Sequence, residues 1–237
     1  MTEAKNVLIS GSSRGLGREI SKILISLGHN VWTMGFSSPA EVDIRCDLLN
    51  LDLLKHEIRN CFDAIGPIDI LICNAGTGKS PAKPLNSIEL ERYFLEKNLH
   101  TSQNLLFATE PYLRSPGCSV IGISSIAALT EKSGAPEGYG KAKRLLNGFL
   151  ADKALLLAEK GVRVNTISLG NVFFEGSRWD EIRKEKPEFV KELLSERVPL
   201  HKFISPNEIA DAILYLSSKS AANITGTNLV IDGGQIL

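Results

Sequence analysis

NVLISGSSRGLGREI, residues 6–20, is the stretch on which the fold turns. Residues 6–10 form a short apolar run of the kind that makes a buried strand. It runs straight into Gly11, Gly15 and Gly17. Ile20, Ile23, Leu24 and Leu27 then fall at i, i+3, i+4 and i+7, one face of a helix. Strand, glycine turn and amphipathic helix in that order favour a dinucleotide-binding loop over a plain turn. Gly11 permits a tight strand-to-helix turn, and Gly15 and Gly17 let backbone and helix approach a pyrophosphate. The helix start offers free N–H groups and a partial positive charge to phosphates. Ser12, Ser13, Arg14 and Leu16 complete the loop as candidate contacts.

Outward from this stretch, the same alternation repeats. Apolar runs lie at 29–34, 68–73, 118–124, 161–168 and 228–232. Between them, Leu51, Leu54 and Ile58, continued by Cys61 and Phe62, form one helical stripe, and Ile209, Ile213 and Leu216 form another after Ser205-Pro206. Near-continuous apolar strands alternating with helices imply βαβ units, hence an α/β fold with a doubly wound parallel sheet covered on both faces. One connection is irregular. Only GFSSPA, residues 35–40, separates the second strand from a third expected near Glu41–Cys46. A parallel crossover normally takes a dozen residues or more, so the crossover helix is expected to be missing there.

The 237 residues carry 27 basic and 27 acidic side chains, with pI ≈ 6.9. That balance argues against a nucleic-acid-coating protein or a polybasic membrane binder. Composition that is 43% hydrophobic and 23% charged is that of a globular chain. No run of about 18 apolar residues predicts a membrane span, and the N-terminus does not read as a signal peptide. Cys46, Cys61, Cys73 and Cys118 make no CxxC pair, which predicts reduced thiols in a cytoplasmic protein. His29, His56, His100 and His201 show no metal-ligand spacing.

The end of the second strand bears on cofactor type. An acid there would hold an adenosine ribose 2′-hydroxyl and repel a 2′-phosphate. The sequence has Gly35, Phe36, Ser37 and Ser38 instead, and Arg14 is placed to pair with a phosphate. NADP(H) is therefore expected over NAD(H), with Ser37 as a further contact; a solvated Arg14 is the plainer alternative.

Further along come CNAG at 73–76, Ser124-Ser125 after a strand, and YGKAK with Tyr139 and Lys143 at i and i+4. Those two side chains share a helix face. An ammonium beside a tyrosine favours phenolate, so the Tyr139 pKa is expected to fall toward a range useful for proton transfer. A serine hydroxyl opposite can hold the same substrate oxygen.

With these motifs in place, the chain resembles the short-chain dehydrogenase/reductase family over essentially its whole length. The resemblance rests on SGSSRGLG, CNAG, Asn98 in EKNLH, Ser125 in ISS, YGKAK, VRVN at 162–165 and ITGTNLVIDGG at 224–234. It implies a single-domain Rossmann fold and a catalytic tetrad. Tyr139 would move the proton, Ser125 would polarise the substrate oxygen, and Lys143 would bind the nicotinamide ribose and lower the Tyr139 pKa. Asn98 would hold a water linking Lys143 to solvent. Asn74, Ala75 and Gly76 would line the adenosine and ribose side. Asp47, with Leu48 beside it, would contact adenine, with helix capping as its second reading.

The chain departs from the family pattern at three places. Leu169-Gly170 stands where Pro-Gly is usual, and Phe174 replaces a threonine, which leaves Val172 as the backbone candidate for the cofactor. The Ser125–Tyr139 interval is 139 − 125 = 14 rather than the more frequent 13, so one residue must bulge in KSGAPEG. Residues 171–200, with Phe173, Phe174, Trp179 and Phe189, are expected to cover the substrate within one domain spanning 1–237. The implied activity is NADP(H)-dependent hydride transfer between a nicotinamide and a small-molecule carbonyl or alcohol. Enoyl reduction, sugar dehydration and a non-catalytic nucleotide-binding regulator are the alternatives. Lys79 suggests an anionic substrate, against a plain solvated lysine. The helices bearing Asn98 and Tyr139 are expected to pair in a homodimer or homotetramer.

Overall fold

Each apolar run expected to be a strand is one in the computed structural model, which describes residues 3–36 and 41–237. The strands are β1 Asn6–Ser10, β2 Asn30–Gly35, β3 Ile44–Arg45, β4 Ile70–Cys73, β5 Ser119–Ser125, β6 Arg163–Leu169 and β7 Asn228–Ile231. They form one seven-stranded sheet in the order β3-β2-β1-β4-β5-β6-β7. Every pairing is parallel. The helices are α1 Gly15–Ser26, α2 Leu51–Ile65, α3 Ser87–Leu95, α4 Thr101–Thr109, α5 Glu137–Ala158, α6 Arg178–Glu185, α7 Pro187–Arg197 and α8 Pro206–Leu216.

Side-chain alternation along the strands sorts the core into two layers. Leu8, Leu71, Val120 and Val164 pack against Leu54 and Ile58 of α2, Leu105 and Leu106 of α4, and Leu146 and Leu150 of α5. Val7, Ile9, Ile70, Ile72, Ile121 and Ile167 point the other way, onto Ile20 and Leu24 of α1 and Ile209 and Ile213 of α8. The expected stripe on α1 is one residue too long. Leu27 lies past the helix end and is exposed, because Gly28 turns the chain with φ +85°. Helix α8 starts at Ser205-Pro206 with a full capping box to Glu208.

The β2–β3 crossover is short, and its described residues, Phe36 and 41–43, carry no helix. The third strand is two residues long rather than the expected 41–46. It is held at the sheet edge by the Asp43 carboxylate, which accepts from the Thr33 amide at 2.8 Å and its hydroxyl at 2.6 Å. Successive connections leave β1 in opposite directions, toward β2 and toward β4. That reversal opens a crevice at the carboxyl ends of the central strands, where open α/β sheets bind ligands.

Candidate active site

The glycine loop is shaped by close approach within the protein. Gly11 has φ +68°, and a Cβ there would lie 2.7 Å from Ala75 Cα. A Cβ on Gly17 would collide with the Gly11 carbonyl and the Asn74 amide. Asn74 fastens the loop to the end of β4, donating from Nδ2 to the carbonyls of Ser10 at 3.0 Å and Gly11 at 3.2 Å. The Ser10 hydroxyl accepts from the Asn74 and Ala75 amides, both at 3.1 Å. Gly15 has φ +62° and open space where a Cβ would be. The first turn of α1 has neither a side-chain cap nor an acid, so its amides face outward unfilled by the chain. This cradle fits the diphosphate of a dinucleotide.

The loop serines are less available than the sequence suggests. Ser12 is buried; its hydroxyl accepts from the Met34 amide at 2.9 Å and lies 3.1 Å from the Ile9 carbonyl. Ser13 is buried against Gly35. Arg14, in contrast, is exposed at the start of α1. Ser37 and Ser38 lie outside the described residues. Asp47 does not cap α2. Asn50 does, accepting from the Leu53 amide, while Asp47 accepts from the Leu49 amide at 3.0 Å and remains half-exposed. Leu48 is buried beside it.

The catalytic candidates converge on one cleft of about 220 Å³. Its walls include Leu16, Asn74, Gly76, Asn98, Ser125, Tyr139, Lys143 and Val172. Ser125 ends β5 and accepts from the Ala127 amide, while Ser124 is buried behind it on the α5 side. The additional residue before Tyr139 is absorbed by a tight turn at Glu131–Ser133 and by Gly134 at φ +71°. Lys143 is buried and donates to the Ile123 carbonyl at 2.8 Å. Burial pushes its pKa down to about 8, against a smaller opposing pull from the Cys73 thiol.

The Tyr139 expectation is corrected. Burial raises its pKa, and the neighbouring Ser125 hydroxyl only partly offsets this. Lys143 does not lower it, because its ammonium is engaged by the Ile123 carbonyl and sits 5.9 Å from the centre of the Tyr139 ring. Desolvation of the phenolate outweighs a charge held at that distance.

Asn98 lies in a π-helical turn, Glu96–His100, between α3 and α4, a distortion frequent at functional sites. It is fully buried. Its Oδ1 accepts from the Thr77 amide at 2.9 Å, and its Nδ2 donates to the carbonyls of Thr77 and Phe94, both at 3.0 Å. Its side chain is thus occupied with backbone. A Cβ on Gly76 would lie 2.6 Å from Asn98 Oδ1 and 3.3 Å from Lys143 Nζ, which places those two groups at one corner.

Thr77, the Ile123 carbonyl and Phe203 escaped the sequence reading. Thr77 directly follows CNAG, which was the available signal. A carbonyl partner leaves no trace in residue type. Phe203 stacks on Phe173 at 5.6 Å and meets Trp179 at 5.3 Å, with the Arg183 guanidinium 4.3 Å over Phe173. Phe189 stands apart and exposed. Among the described residues no His, Cys, Asp or Glu cluster could hold a metal, and no helix is long and apolar enough to cross a membrane. The buried thiols of Cys46, Cys73 and Cys118 are pushed up to about 11, about 12 and about 12 by desolvation.

The family model described as Enoyl-(Acyl carrier protein) reductase matches residues 11–235, from the first glycine to beyond the closing Asp232-Gly233-Gly234. The chain belongs to the short-chain dehydrogenase/reductase family. Isoepoxydon dehydrogenase patN of Penicillium expansum is similar at 29% identity over 97% of this chain and 93% of its own. D-beta-hydroxybutyrate dehydrogenase of Rhizobium meliloti is similar at 29% over 97% of this chain and 98% of its own. The ligand-free aldohexose dehydrogenase of Thermoplasma acidophilum superposes with TM-score 0.82 at 26% identity, covering 98% of this chain and 94% of that one. This short-chain dehydrogenase/reductase is accordingly an oxidoreductase acting on CH–OH or carbonyl groups, of a family that binds NAD(P).

Proposed function

We propose that the chain is an NADP(H)-dependent carbonyl reductase or alcohol dehydrogenase in which Tyr139 moves the proton. The carrying observation is the convergence of Ser125, Tyr139 and Lys143 on one cleft beside the glycine cradle. A nicotinamide cofactor held beside this cleft would supply hydride chemistry toward a carbonyl or alcohol carbon. Ser125 holds the substrate oxygen as its charge develops. Tyr139, kept neutral by burial, donates its phenolic proton to that oxygen in reduction and takes it back in oxidation. Lys143 resupplies the proton and reaches the nicotinamide ribose. Asn98, with Thr77, keeps the wall beside Lys143 in place. Gly11, Ser12, Ser13, Arg14, Gly15, Leu16 and Gly17 carry the phosphates; Asp47, Leu48, Asn74, Ala75 and Gly76 border the adenosine side, and Val172 borders the nicotinamide.

The NADP(H) preference rests on the lack of an acid at Gly35-Phe36 and on exposed Arg14. Residues 171–200 act as the substrate cover. Exposed Phe107 on α4 and Leu145, Leu155 and Leu156 on α5 support a homodimer or homotetramer through those helices. The test is a screen of carbonyl compounds and alcohols with each cofactor, read by nicotinamide absorbance, with Tyr139→Phe beside the native chain. Turnover with NADPH that is lost in Y139F, with cofactor affinity kept, is the expected result. A strong NADH preference overturns the cofactor reading, and full activity of Y139F overturns the mechanism.

A further inference from the structure

A cavity of about 460 Å³ lies at the amino ends of β1 and β2, outside the cleft already described. Strand β2 is six residues long, so roughly 20 Å separates this cavity from the carboxyl ends where the cleft opens. The sheet edge is unfinished here. The Asn30 amide donates to the Lys5 carbonyl at 3.0 Å, so Asn30 and, two residues on, Trp32 turn their backbone groups toward β1. Val31 and Thr33 turn theirs the other way, toward β3. Strand β3 pairs only with Met34 and Gly35. The Thr33 amide is taken by Asp43 Oδ2 at 2.8 Å. Val31, in the cavity wall, has no strand beside its outward amide and carbonyl among the described residues.

The rest of the wall is rich in acceptors. Asn30 spends Nδ2 on Asn6 Oδ1 at 3.1 Å and keeps its own Oδ1. Asp43 spends Oδ2 on Thr33 and keeps Oδ1. Helix α2 ends in the wall at Ala64 and Ile65, and its last carbonyls are the negative end of the helix dipole. That last turn has no basic residue, and it carries Asp63. One turn before Ile65, the Cys61 thiol is pushed up by burial first, then by Glu57 and Asp43, so the Asp43 charge is felt on α2. Half-buried Trp32 adds an aromatic wall, and no basic side chain lines the cavity among the described residues. Carboxylate, helix end and aromatic ring share one preference, for positive charge. A single carboxylate beside an indole suits a weakly hydrated organic cation better than a metal ion, which takes several oxygen ligands. We propose that this cavity binds a small organic cation, an alkyl guanidinium or ammonium compound, at the unfinished edge of β2. Its head pairs with Asp43 Oδ1 beside the end of α2, its other N–H groups reach Asn30 Oδ1 and the Val31 carbonyl, and its stem lies along Trp32. The volume is that of a small-molecule site.

Trp32 can report on its own site. The chain has two tryptophans, Trp32 and Trp179, so the emission of W179F is that of Trp32 alone. Agmatine, with a guanidinium and an ammonium on one alkyl chain, is titrated at constant ionic strength beside uncharged N-butylurea. Agmatine should change Trp32 emission saturably, and butylurea should not. In the same background D43N, which keeps an oxygen for Thr33, should weaken agmatine by about tenfold. A64K, at an exposed position of the last turn of α2, should hold its own ammonium in the cavity. It should abolish agmatine binding and raise the melting temperature, as a cation at a helix C-terminus does. The absence of a saturable response overturns the proposal, as does an equal response to butylurea or an unchanged affinity in D43N. If D43N does not fold, A64K decides alone, and native agmatine affinity in A64K overturns the proposal. None of these residues borders the cleft, so turnover of a carbonyl or alcohol has no bearing on the outcome.

Discussion

Asn98 grips Thr77 by both of its backbone polar groups, accepting from its amide at 2.9 Å and donating to its carbonyl at 3.0 Å. This pair ties the π-helical turn to the segment after β4 across the back of the cleft. In Asn98→Ala the Thr77 amide and the Thr77 and Phe94 carbonyls lose their partner, with an expected stability loss of about 1–3 kcal/mol. Asn98→Asp should cost more, because its carboxylate faces the Thr77 and Phe94 carbonyls. Urea unfolding of the two variants checks the order; equal stability of N98D and the native chain would contradict it.

Lys143 makes a signed pH prediction. Its pKa is about 8 in the folded chain against 10.5 for an ordinary lysine. Between these values the unfolded chain binds more protons, so stability rises with pH through that window. Below pH 8 the buried ammonium carries its full penalty. Relative to Lys143→Met, the native chain should gain up to about 3 kcal/mol between pH 8 and 10.5. Unfolding curves of both proteins across that range should therefore not be parallel.

Tyr139 predicts an asymmetry between the two directions of reaction. With its pKa raised by burial, the phenol stays protonated through neutral pH. Carbonyl reduction should run flat through neutrality, while alcohol oxidation should climb as the solution is made alkaline. An oxidation rate that peaks below neutral pH would contradict a raised Tyr139 pKa.

Gly76 has no room for a side chain. A methyl group would meet Asn98 Oδ1 at 2.6 Å and Lys143 Nζ at 3.3 Å, and both are buried. Gly76→Ala should lower kcat by about 100-fold through misplacement of these groups. Circular dichroism should show the fold retained, which separates this effect from unfolding.

Asp180 anchors the proposed cover. Its buried carboxylate accepts from the Gly176 amide at 3.0 Å and from Lys184 at 2.7 Å, with Arg183 at 3.4 Å. These contacts hold its pKa below the usual carboxylate range, the Lys184 hydrogen bond first. The contribution to folding is present above the ordinary carboxylate pKa and is lost as pH falls through the lowered one. Asp180→Asn should speed proteolysis within residues 171–200 and raise the KM for substrate. Unchanged proteolysis would show that the aromatic stack around Phe203 holds the segment unaided.

Much of this was legible in the chain because it depends on local pattern. Strand positions followed from apolar runs, helix faces from spacing, and the shortness of the β2–β3 connection from the length of GFSSPA. Leu27 failed because a glycine turn, not the apolar repeat, ends α1. Asp47 failed as a cap because Asn50 sits closer to the helix start and takes that role. Ser12 kept its place in the loop, but its hydroxyl is drawn inward by Met34, a residue on another strand.

By itself the sequence determined a doubly wound sheet with a glycine loop and the residue types of the candidate active site, since periodicity, turn chemistry and motif spacing are properties of neighbours along the chain. Tertiary structure decided what those residues experience. Burial raises Tyr139 and lowers Lys143, the Ile123 carbonyl takes the ammonium that was expected to act on the phenol, and Thr77 takes the Asn98 side chain. Desolvation and distance set such energies, and both exist only once β4, β5, α4 and α5 have come together.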